Sequence, residues 1–210
     1  MPKREFRLIT PGIKDGFIKV IEKPVDFFIK RNVSPNFFTI LGLVLSGVGA
    51  FFYAEGYLVW GGVFILIGGI SDTFDGKIAR TRNIATKFGA VLDSSLDRYA
   101  EFLMFLGIMI YLMRIDTPLH YWTSIIAFFA LMGSIMVSYV RARAEGLGME
   151  GKVGMMQRAE RIVLIGIASL VHEYALIGVV WIVALFANIT AIQRIHSVWK
   201  EEKEELRKSK

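Results

Sequence analysis

Cysteine is absent from this 210-residue sequence, and only three histidines occur. The lack of cysteine excludes disulfide bonds, thiolate metal sites and cysteine nucleophiles. The histidines, His120, His172 and His196, are scattered, and no nucleophile or second metal ligand accompanies them in the sequence. We interpret them as interfacial side chains and expect the chemistry of the protein to depend on other residue types.

A cleavable signal is also missing from the N-terminal region. Lys3, Arg4 and Arg7 make this region positively charged, but the residues that follow are amphipathic rather than apolar, so no secretory leader is predicted. Residues 12–31 carry apolar side chains at helical spacing with lysines between them. This pattern predicts an interfacial amphipathic helix that bends at Pro24. A solvated helix packed on the domain's own loops is the alternative.

Apolar residues are in excess, because they make up 54% of the sequence and the mean hydropathy is +0.48. A soluble domain has about 45–50% apolar residues, and a membrane-spanning helix needs about 20 of them in a row. Six runs approach this length, at 37–54, 57–76, 91–113, 119–140, 160–179 and 176–197. We predict an all-α integral membrane protein with six transmembrane helices. The last two runs overlap, and we expect a tight turn within 171–174 that leaves the fifth span short.

Basic residues lie on one side of these spans. Every lysine and arginine except Arg114 falls nearest to the side that holds the N-terminus, the loops near 77–90 and 141–159, and the C-terminus. The positive-inside rule places that side in the cytoplasm. The net charge of +6 therefore reflects membrane topology and does not require nucleic acid as a partner. We divide the chain into an N-terminal cytoplasmic arm (1–33), a membrane domain (34–199) and a charged cytoplasmic tail (200–210).

Four aspartates lie at the cytoplasmic ends of the second and third spans. Asp72 and Asp75 are three residues apart, Asp93 and Asp97 are four apart, and each pair shares one face of its helix. The link between the two helices is short, so we expect them to run antiparallel and side by side, with the carboxylates in one pocket. Each ionised carboxylate costs roughly 2.5–3.5 kcal/mol at the centre of a membrane helix. The natural compensation is one or two cations, and oxygen ligands favour Mg²⁺, Mn²⁺ or Ca²⁺.

The aspartates have two alternative interpretations. They could be helix caps, or they could pair with Arg80, Arg82 and Arg98. Glycines and alanines beside the carboxylates favour a ligand instead, because Gly76, Ala79 and Gly89 leave room for one to approach the backbone closely. The alternative for these small residues is close helix packing.

The full pattern is Asp72-x2-Asp75-Gly76-x2-Ala79-Arg80-x8-Gly89-x3-Asp93-x3-Asp97. It resembles the signature of the CDP-alcohol phosphotransferases, and all eight fixed positions match over 26 residues. The resemblance implies six helices with cytoplasmic termini, a homodimer, two Mg²⁺ or Mn²⁺ ions, and CMP as the leaving group. It also implies a multi-pass protein of the cytoplasmic membrane whose active site faces the cytoplasm.

The resemblance further implies roles for individual residues. The metal ligands are Asp72, Asp75, Asp93 and Asp97, and Asp97 is also the general base. Two cations can neutralise the diphosphate of a CDP-lipid, and an alcohol becomes a good nucleophile when a positioned base takes its proton. The implied contacts with the CDP-lipid are Pro35, Asn36, Thr39, Asp75, Gly76, Ala79, Arg80 and Gly89. Ser34 followed by Pro35 is also an ordinary helix start. The segment can both begin the helix and contact the donor lipid.

The acceptor is suggested by arginines in the second half of the chain. Segments 138–145 and 157–161 look similar to those of the phosphatidylinositol-phosphate synthases of this family, where basic residues surround the acceptor's phosphate. The implied acceptor ligands are Arg141, Arg143, Arg158, Arg161 and Arg194. Arg141 replaces the usual lysine, and Gln157 and Ala159 replace a Glu and a Pro, so the inositol-ring contacts stay open. Ordinary cytoplasmic loop charge is the alternative for Arg141 and Arg143.

The sequence thus favours transfer of a phosphatidyl-type group from a CDP-lipid to a phosphorylated alcohol, with inositol 1-phosphate as the favoured acceptor. The partners are the donor lipid, the acceptor, membrane lipids and a second copy of the chain. Glycerol 3-phosphate is the alternative acceptor, and CDP-diacylglycerol and CDP-archaeol are both open as donors. A cation transporter is the non-enzyme alternative. A membrane prenyltransferase would need two separate aspartate clusters, whereas this sequence has one bipartite cluster.

Overall fold

The computed structural model describes residues 24–149 and 153–208. Residues 24–30 are helical, and six helices follow: α1 (Pro35–Ala54), α2 (Leu58–Thr81), α3 (Lys87–Met113), α4 (Pro118–Gly146), α5 (Arg158–Val171) and α6 (Glu173–Lys208). The described ranges contain no strand, which confirms the all-α prediction. Most of the amphipathic helix predicted at 12–31 lies outside the described residues.

The helices begin where the sequence supplies starting residues. Pro35 and Pro118 occupy the first turns of α1 and α4, where proline costs no hydrogen bond. Thr86 caps α3, because its Oγ1 accepts a hydrogen bond from the Gly89 amide at 2.9 Å. Ser34 stands at the N-cap position of α1 but makes no side-chain capping bond. The expectation of an ordinary helix start at Pro35 is therefore confirmed without the serine contact.

Four helices, α1, α2, α4 and α6, are long and apolar enough to cross a membrane, so the protein is a membrane protein. The other two differ for reasons visible in the sequence. α3 carries four charged residues between Asp93 and Glu101, and α5 has only 14 residues. The predicted turn is confirmed, since His172 is extended (φ −170°, ψ 156°) and separates α5 from α6. The count of six spans stays a prediction.

The packing of the helices places the acidic residues on either side of a gap. α1 packs against both α2 and α3, α5 packs against α2 and α6, and α4 packs against α3 and α6. The expectation that α2 and α3 lie side by side holds at their acidic ends, where carboxylate oxygens of the two helices lie within 4.8 Å of one another. α1 packs against both helices, and its backbone at Ala50 leaves no room for a Cβ on Gly107 of α3. The space between the acidic ends of α2 and α3 is thereby left for side chains and ligands.

Candidate carboxylate site

Three of the four aspartates converge across the gap between α2 and α3. One carboxylate oxygen from each of Asp72, Asp75 and Asp93 lies within 4.8 Å of the other two. Asp72 and Asp75 come from the last turns of α2, and Asp93 comes from the first half of α3. α2 and α3 each pack against α1, and they bring their acidic faces together at this end of the bundle.

Asp75 is the most deeply buried member of this group, with 6% of its surface exposed. Its Oδ2 accepts a hydrogen bond of 2.8 Å from Thr39 Oγ1 on α1. Thr39 was implied as a donor-lipid contact, and here it also ties α1 to the acidic end of α2. Such a bond fixes the orientation of the carboxylate.

Asp97 joins the group through an arginine from another helix. Arg158, the first residue of α5, directs Nη1 to Asp72 Oδ2 and Nη2 to Asp97 Oδ1, each at 2.8 Å. One guanidinium thus holds one carboxylate from each of the two acidic helices. The sequence predicts Arg158 as an acceptor ligand but gives no sign of this bridge, because Arg158 is more than 60 residues from either aspartate.

The arginines weighed as partners of the aspartates have other contacts. Arg82 donates to the Val33 carbonyl oxygen at 3.3 Å and to Asn32 Oδ1 at 3.0 Å. Arg98 donates to the carbonyl oxygen of Ser94 on its own helix. Arg80 is exposed, and its guanidinium lies over Gly76, where an added Cβ would be 3.2 Å from Nη1. Within the described residues, the aspartates form their ion pairs with Arg158 rather than with these three arginines.

Two buried polar atoms at the site have no hydrogen-bond partner within the described ranges. They are Asp93 Oδ1 and Arg158 Nε. Buried polar atoms are nearly always paired in native proteins, so such orphans need an explanation. A divalent cation explains the free carboxylate oxygen, because a donor set made only of carboxylates suits Mg²⁺ or Mn²⁺. The residues present thus fit the predicted metal.

The residues implied for the donor lipid surround the same end of the bundle. Pro35 and Asn36 begin α1, and Asn36 Oδ1 would lie 3.7 Å from a Cβ on Gly89 in the first turn of α3. Gly76 and Ala79 lie beyond Asp75 in the last turns of α2. The starts of α1 and α3 and the end of α2 therefore meet beside the carboxylates.

The arginines implied for the acceptor separate into two kinds. Arg158 faces the carboxylates, whereas Arg141 and Arg143 are exposed at the end of α4. Arg141 forms an ion pair with Glu145, with 2.9 Å between Nε and Oε1. Of these three, only Arg158 is in direct contact with the aspartates.

The remaining two arginines are buried and bound to protein groups. Arg194 donates from Nε to the Val153 carbonyl oxygen at 2.8 Å and from Nη1 to that of Val137 at 2.7 Å. Arg161 is 0% exposed and pairs with Glu101 of α3. Glu101 was missed in the sequence, although its position four residues after Asp97 places it on the same helix face. That spacing is the signal that could have found it.

A narrow cavity extends from the aspartates into the bundle. Side chains from α1, α2, α3 and α5 line it, among them Thr39, Asp72, Asp97, Glu101 and Arg158. Four helices thus contribute side chains to one cleft that carries charged groups into the bundle.

The sequence model of the CDP-alcohol phosphatidyltransferase family matches residues 32–193. The archaetidylinositol phosphate synthase of Methanothermobacter thermautotrophicus is 34% identical over 93% of this chain and 98% of the relative. The structure of the Mycobacterium tuberculosis phosphatidylinositol phosphate synthase with CDP-DAG bound is also similar. Its TM-score is 0.75 at 31% identity, and the match covers 86% of this chain and 94% of that chain. The same enzyme in complex with manganese and citrate matches with a TM-score of 0.76 at 30% identity, covering 84% and 88%.

Proposed function

Because the chain belongs to the CDP-alcohol phosphatidyltransferase family, we propose that it transfers a phosphatidyl-type group from a CDP-lipid to a hydroxyl of inositol 1-phosphate and releases CMP. The observation that carries this proposal is the carboxylate cluster held against Arg158. Carboxylates can bind the cations that a diphosphate donor requires, and a guanidinium beside them suits a phosphorylated acceptor. A phosphorylated acceptor would give Arg158 a second role besides its bridge between Asp72 and Asp97.

Asp72, Asp75, Asp93 and Asp97 are the proposed ligands of two Mg²⁺ or Mn²⁺ ions. The convergence of three carboxylates within 4.8 Å and the free Asp93 Oδ1 support this assignment. The manganese complex of the Mycobacterium tuberculosis relative supports it as well. The cations would neutralise the donor's diphosphate and stabilise CMP as it leaves.

Asp97 is the proposed general base. Arg158 fixes its Oδ1 at 2.8 Å, which holds the carboxylate in one orientation at the wall of the cleft. Asp97 accepts the proton of the acceptor hydroxyl while the hydroxyl oxygen forms a bond to the phosphorus that carries the lipid. The bond from that phosphorus to the CMP oxygen breaks, and the products are CMP and a phosphodiester lipid.

The start of α1, the end of α2 and the start of α3 form the proposed donor site. Gly76 and Gly89 let the nucleotide approach the backbone, and Arg80, which is exposed beside Gly76, is free to turn toward a phosphate oxygen. The other proposed contacts are Pro35, Asn36, Thr39, Asp75 and Ala79. Their position around the carboxylates supports this set.

Arg158 is the proposed acceptor-phosphate ligand nearest to the reacting groups. The other proposed members of this basic cluster are Arg141, Arg143, Arg161 and Arg194. The names of the relatives support inositol phosphate as the acceptor, since both are inositol phosphate lipid synthases. A CDP-diacylglycerol and a CDP-archaeol donor are both compatible with the site.

We further propose six transmembrane helices with both termini and the active site on the cytoplasmic side of the cell membrane. In this arrangement residues 1–33 form an arm with an interfacial amphipathic helix, residues 34–199 form the membrane domain and residues 200–210 form a tail. The four apolar helices and the one-sided distribution of basic residues support this topology. A homodimer in contact with membrane lipids completes the proposal.

The test is CMP release by the purified protein with Mg²⁺ or Mn²⁺. CDP-diacylglycerol and CDP-archaeol are each combined with inositol 1-phosphate, glycerol 3-phosphate, serine or inositol. We expect release with inositol 1-phosphate alone among these acceptors. Turnover only with glycerol 3-phosphate would replace the proposed acceptor by its alternative, and release only with serine or inositol would refute a phosphorylated acceptor.

A further inference from the structure

The acidic face of α3 extends one turn beyond the aspartates. Asp93, Asp97 and Glu101 follow one another at intervals of four residues, so their side chains lie on one helix face. Glu101 lies outside the eight-position pattern of the sequence and is only 2% exposed. Such deep burial of a carboxylate requires a partner.

That partner is Arg161 of α5. Glu101 Oε1 accepts hydrogen bonds from Arg161 Nε at 2.9 Å and from Arg161 Nη2 at 2.5 Å. Arg161 Nη1 donates to the Met156 carbonyl oxygen at 3.1 Å. Through these contacts Glu101 fixes both the guanidinium and the backbone that leads into α5.

Arg158 lies on the same side of α5. It precedes Arg161 by three residues, so the two arginines share a helix face, and Arg158 lines the same cavity as Glu101. Glu101 Oε2 and Arg158 Nε are both buried without a hydrogen-bond partner within the described part of the chain. An acceptor and a donor are thus left open in one cleft, beside the proposed base.

A buried ion pair contributes little net stability, because desolvation offsets much of the attraction between the charges. Orientation is the better explanation for this pair. A guanidinium whose Nε and Nη2 both donate to one carboxylate oxygen cannot rotate freely. The first turn of α5, which carries Arg161, is therefore held in place as well.

We propose that Glu101 is a positioning residue for the acceptor half of the reaction. It holds Arg161 and the first turn of α5 so that Arg158 faces Asp72, Asp97 and the phosphate of the acceptor. Glu101 itself touches neither substrate. This inference rests on the proposed function, specifically on a phosphorylated acceptor bound by the α5 arginines.

The test is the Glu101→Gln variant, which keeps the size of the side chain and an oxygen acceptor but removes the charge. CMP release is measured while the acceptor and the CDP-lipid are varied separately. We expect the KM for inositol 1-phosphate to rise about tenfold to a hundredfold, the range expected when a hydrogen bond to a charged group is lost. The melting temperature should fall, because Arg161 is left without a charged partner. The KM for the CDP-lipid should nevertheless stay near its original value, and Glu101→Asp should recover part of the acceptor affinity.

Glu173→Gln is the matched control. Glu173 is a hydrogen-bonded glutamate at the other end of the bundle, with Tyr111 and His120 as partners. Its neutralisation should change neither KM. Equal increases in both KM values for Glu101→Gln, or no increase in either, would overturn the positioning role.

A second variant keeps the inference testable if Glu101→Gln fails to fold. The double variant Glu101→Leu with Arg161→Met replaces the pair by apolar side chains, an exchange that buried pairs often tolerate. It should fold, bind the CDP-lipid normally and show the same raised acceptor KM as Arg161→Met alone, because Glu101 acts through Arg161. A further rise in the double variant would show that Glu101 acts independently of Arg161. An unchanged acceptor KM in the folded double variant would refute the inference.

The outcomes for the two proposals are distinguishable. The acceptor panel with the unmodified protein tests the proposed function alone. If glycerol 3-phosphate proves to be the acceptor, the same variants are measured with it, and the ratio of acceptor to donor effects still decides the role of Glu101. If only serine or inositol supports turnover, the acceptor class and the inference that rests on it both fail.

Discussion

Two polar clusters lie at opposite ends of the helix bundle. One is the carboxylate cleft, and the other joins α3, α4 and α6 near Tyr111. There, Glu173 Oε1 accepts from Tyr111 Oη at 2.7 Å and lies 2.6 Å from His120 Nε2. His120 Nδ1 lies 2.5 Å from Thr117 Oγ1. Asp97 and Tyr111 are 14 residues apart on α3, which corresponds to about 21 Å along a helix.

The clusters differ in how completely their polar atoms are paired. Within the described residues, the buried side-chain atoms of Tyr111, His120 and Glu173 all have partners. In the cleft, Asp93 Oδ1, Glu101 Oε2 and Arg158 Nε do not. A saturated network stabilises one packing of the helices, whereas an unsaturated one retains bonding capacity for a ligand.

Metal removal should have the largest effect on activity, and this effect should depend on the carboxylate cleft and not on the cluster around Glu173. A chelator should abolish CMP release, and Mn²⁺ should restore it. Because an ion that binds only the folded protein stabilises it, Mn²⁺ should also raise the melting temperature of the unmodified protein. Asp93→Asn should lose that increase and Glu173→Gln should keep it. A Mn²⁺-dependent increase that survives in Asp93→Asn would contradict the assignment of Asp93 as a ligand.

Asp97→Asn should lower kcat by about 10²–10⁴-fold, the usual contribution of a general base. The amide cannot accept the hydroxyl proton but preserves the shape of the side chain, so binding of the CDP-lipid should remain measurable by a shift in melting temperature. Steady-state CMP release gives kcat. Full activity in this variant would refute the role of Asp97 as the base.

Arg158→Gln should lower kcat/KM for inositol 1-phosphate by about tenfold to a hundredfold, because charge-assisted hydrogen bonds to the phosphate are lost. The kcat/KM of Arg158→Lys should fall between those of the unmodified protein and Arg158→Gln, since lysine keeps the charge but cannot bridge Asp72 and Asp97 with a planar fork. The measurement compares the acceptor and the CDP-lipid as varied substrates. A loss confined to the CDP-lipid would place Arg158 on the donor side.

Gly76→Ala should raise the KM for the CDP-lipid about tenfold, a loss of roughly 1.4 kcal/mol in binding. The three atoms nearest to the added methyl group would all belong to the exposed Arg80 side chain, which can move, so the melting temperature should stay constant. Gly178→Ala is the control, because nothing lies within 4 Å of a Cβ at that helical position. A fall in melting temperature for Gly76→Ala that accounts for the lost activity would argue against the proposed donor contact.

Glu173→Gln should have the smallest effect on catalysis. Weakening its bonds to Tyr111 and His120 should cost about 1 kcal/mol of stability and lower the melting temperature by a few degrees. The kinetic constants should stay within about twofold, since the site is far from the cleft. A kinetic loss larger than the thermal loss explains would show that the two ends are coupled.

The sequence alone was informative about features that depend on local spacing. The excess of apolar residues predicted an all-helical membrane protein, and the break at His172 predicted the end of α5. The i,i+3 and i,i+4 spacing of the aspartates predicted their common faces, because helical periodicity is a property of the chain itself. Of the four, Asp72, Asp75 and Asp93 do converge, as that spacing suggested.

The tertiary structure decided which residues distant in sequence come together. It showed that α1 packs against both α2 and α3, and that these two helices meet at their carboxylates. It also placed Arg158 between Asp72 and Asp97, and paired Arg161 with Glu101. A charged residue at a helix end has the same appearance in sequence whether it faces a loop, a lipid headgroup or a carboxylate on another helix. Only the packing of α5 against α2 determines which of these it meets, because long-range ion pairs depend on how helices dock and not on the periodicity within any one of them.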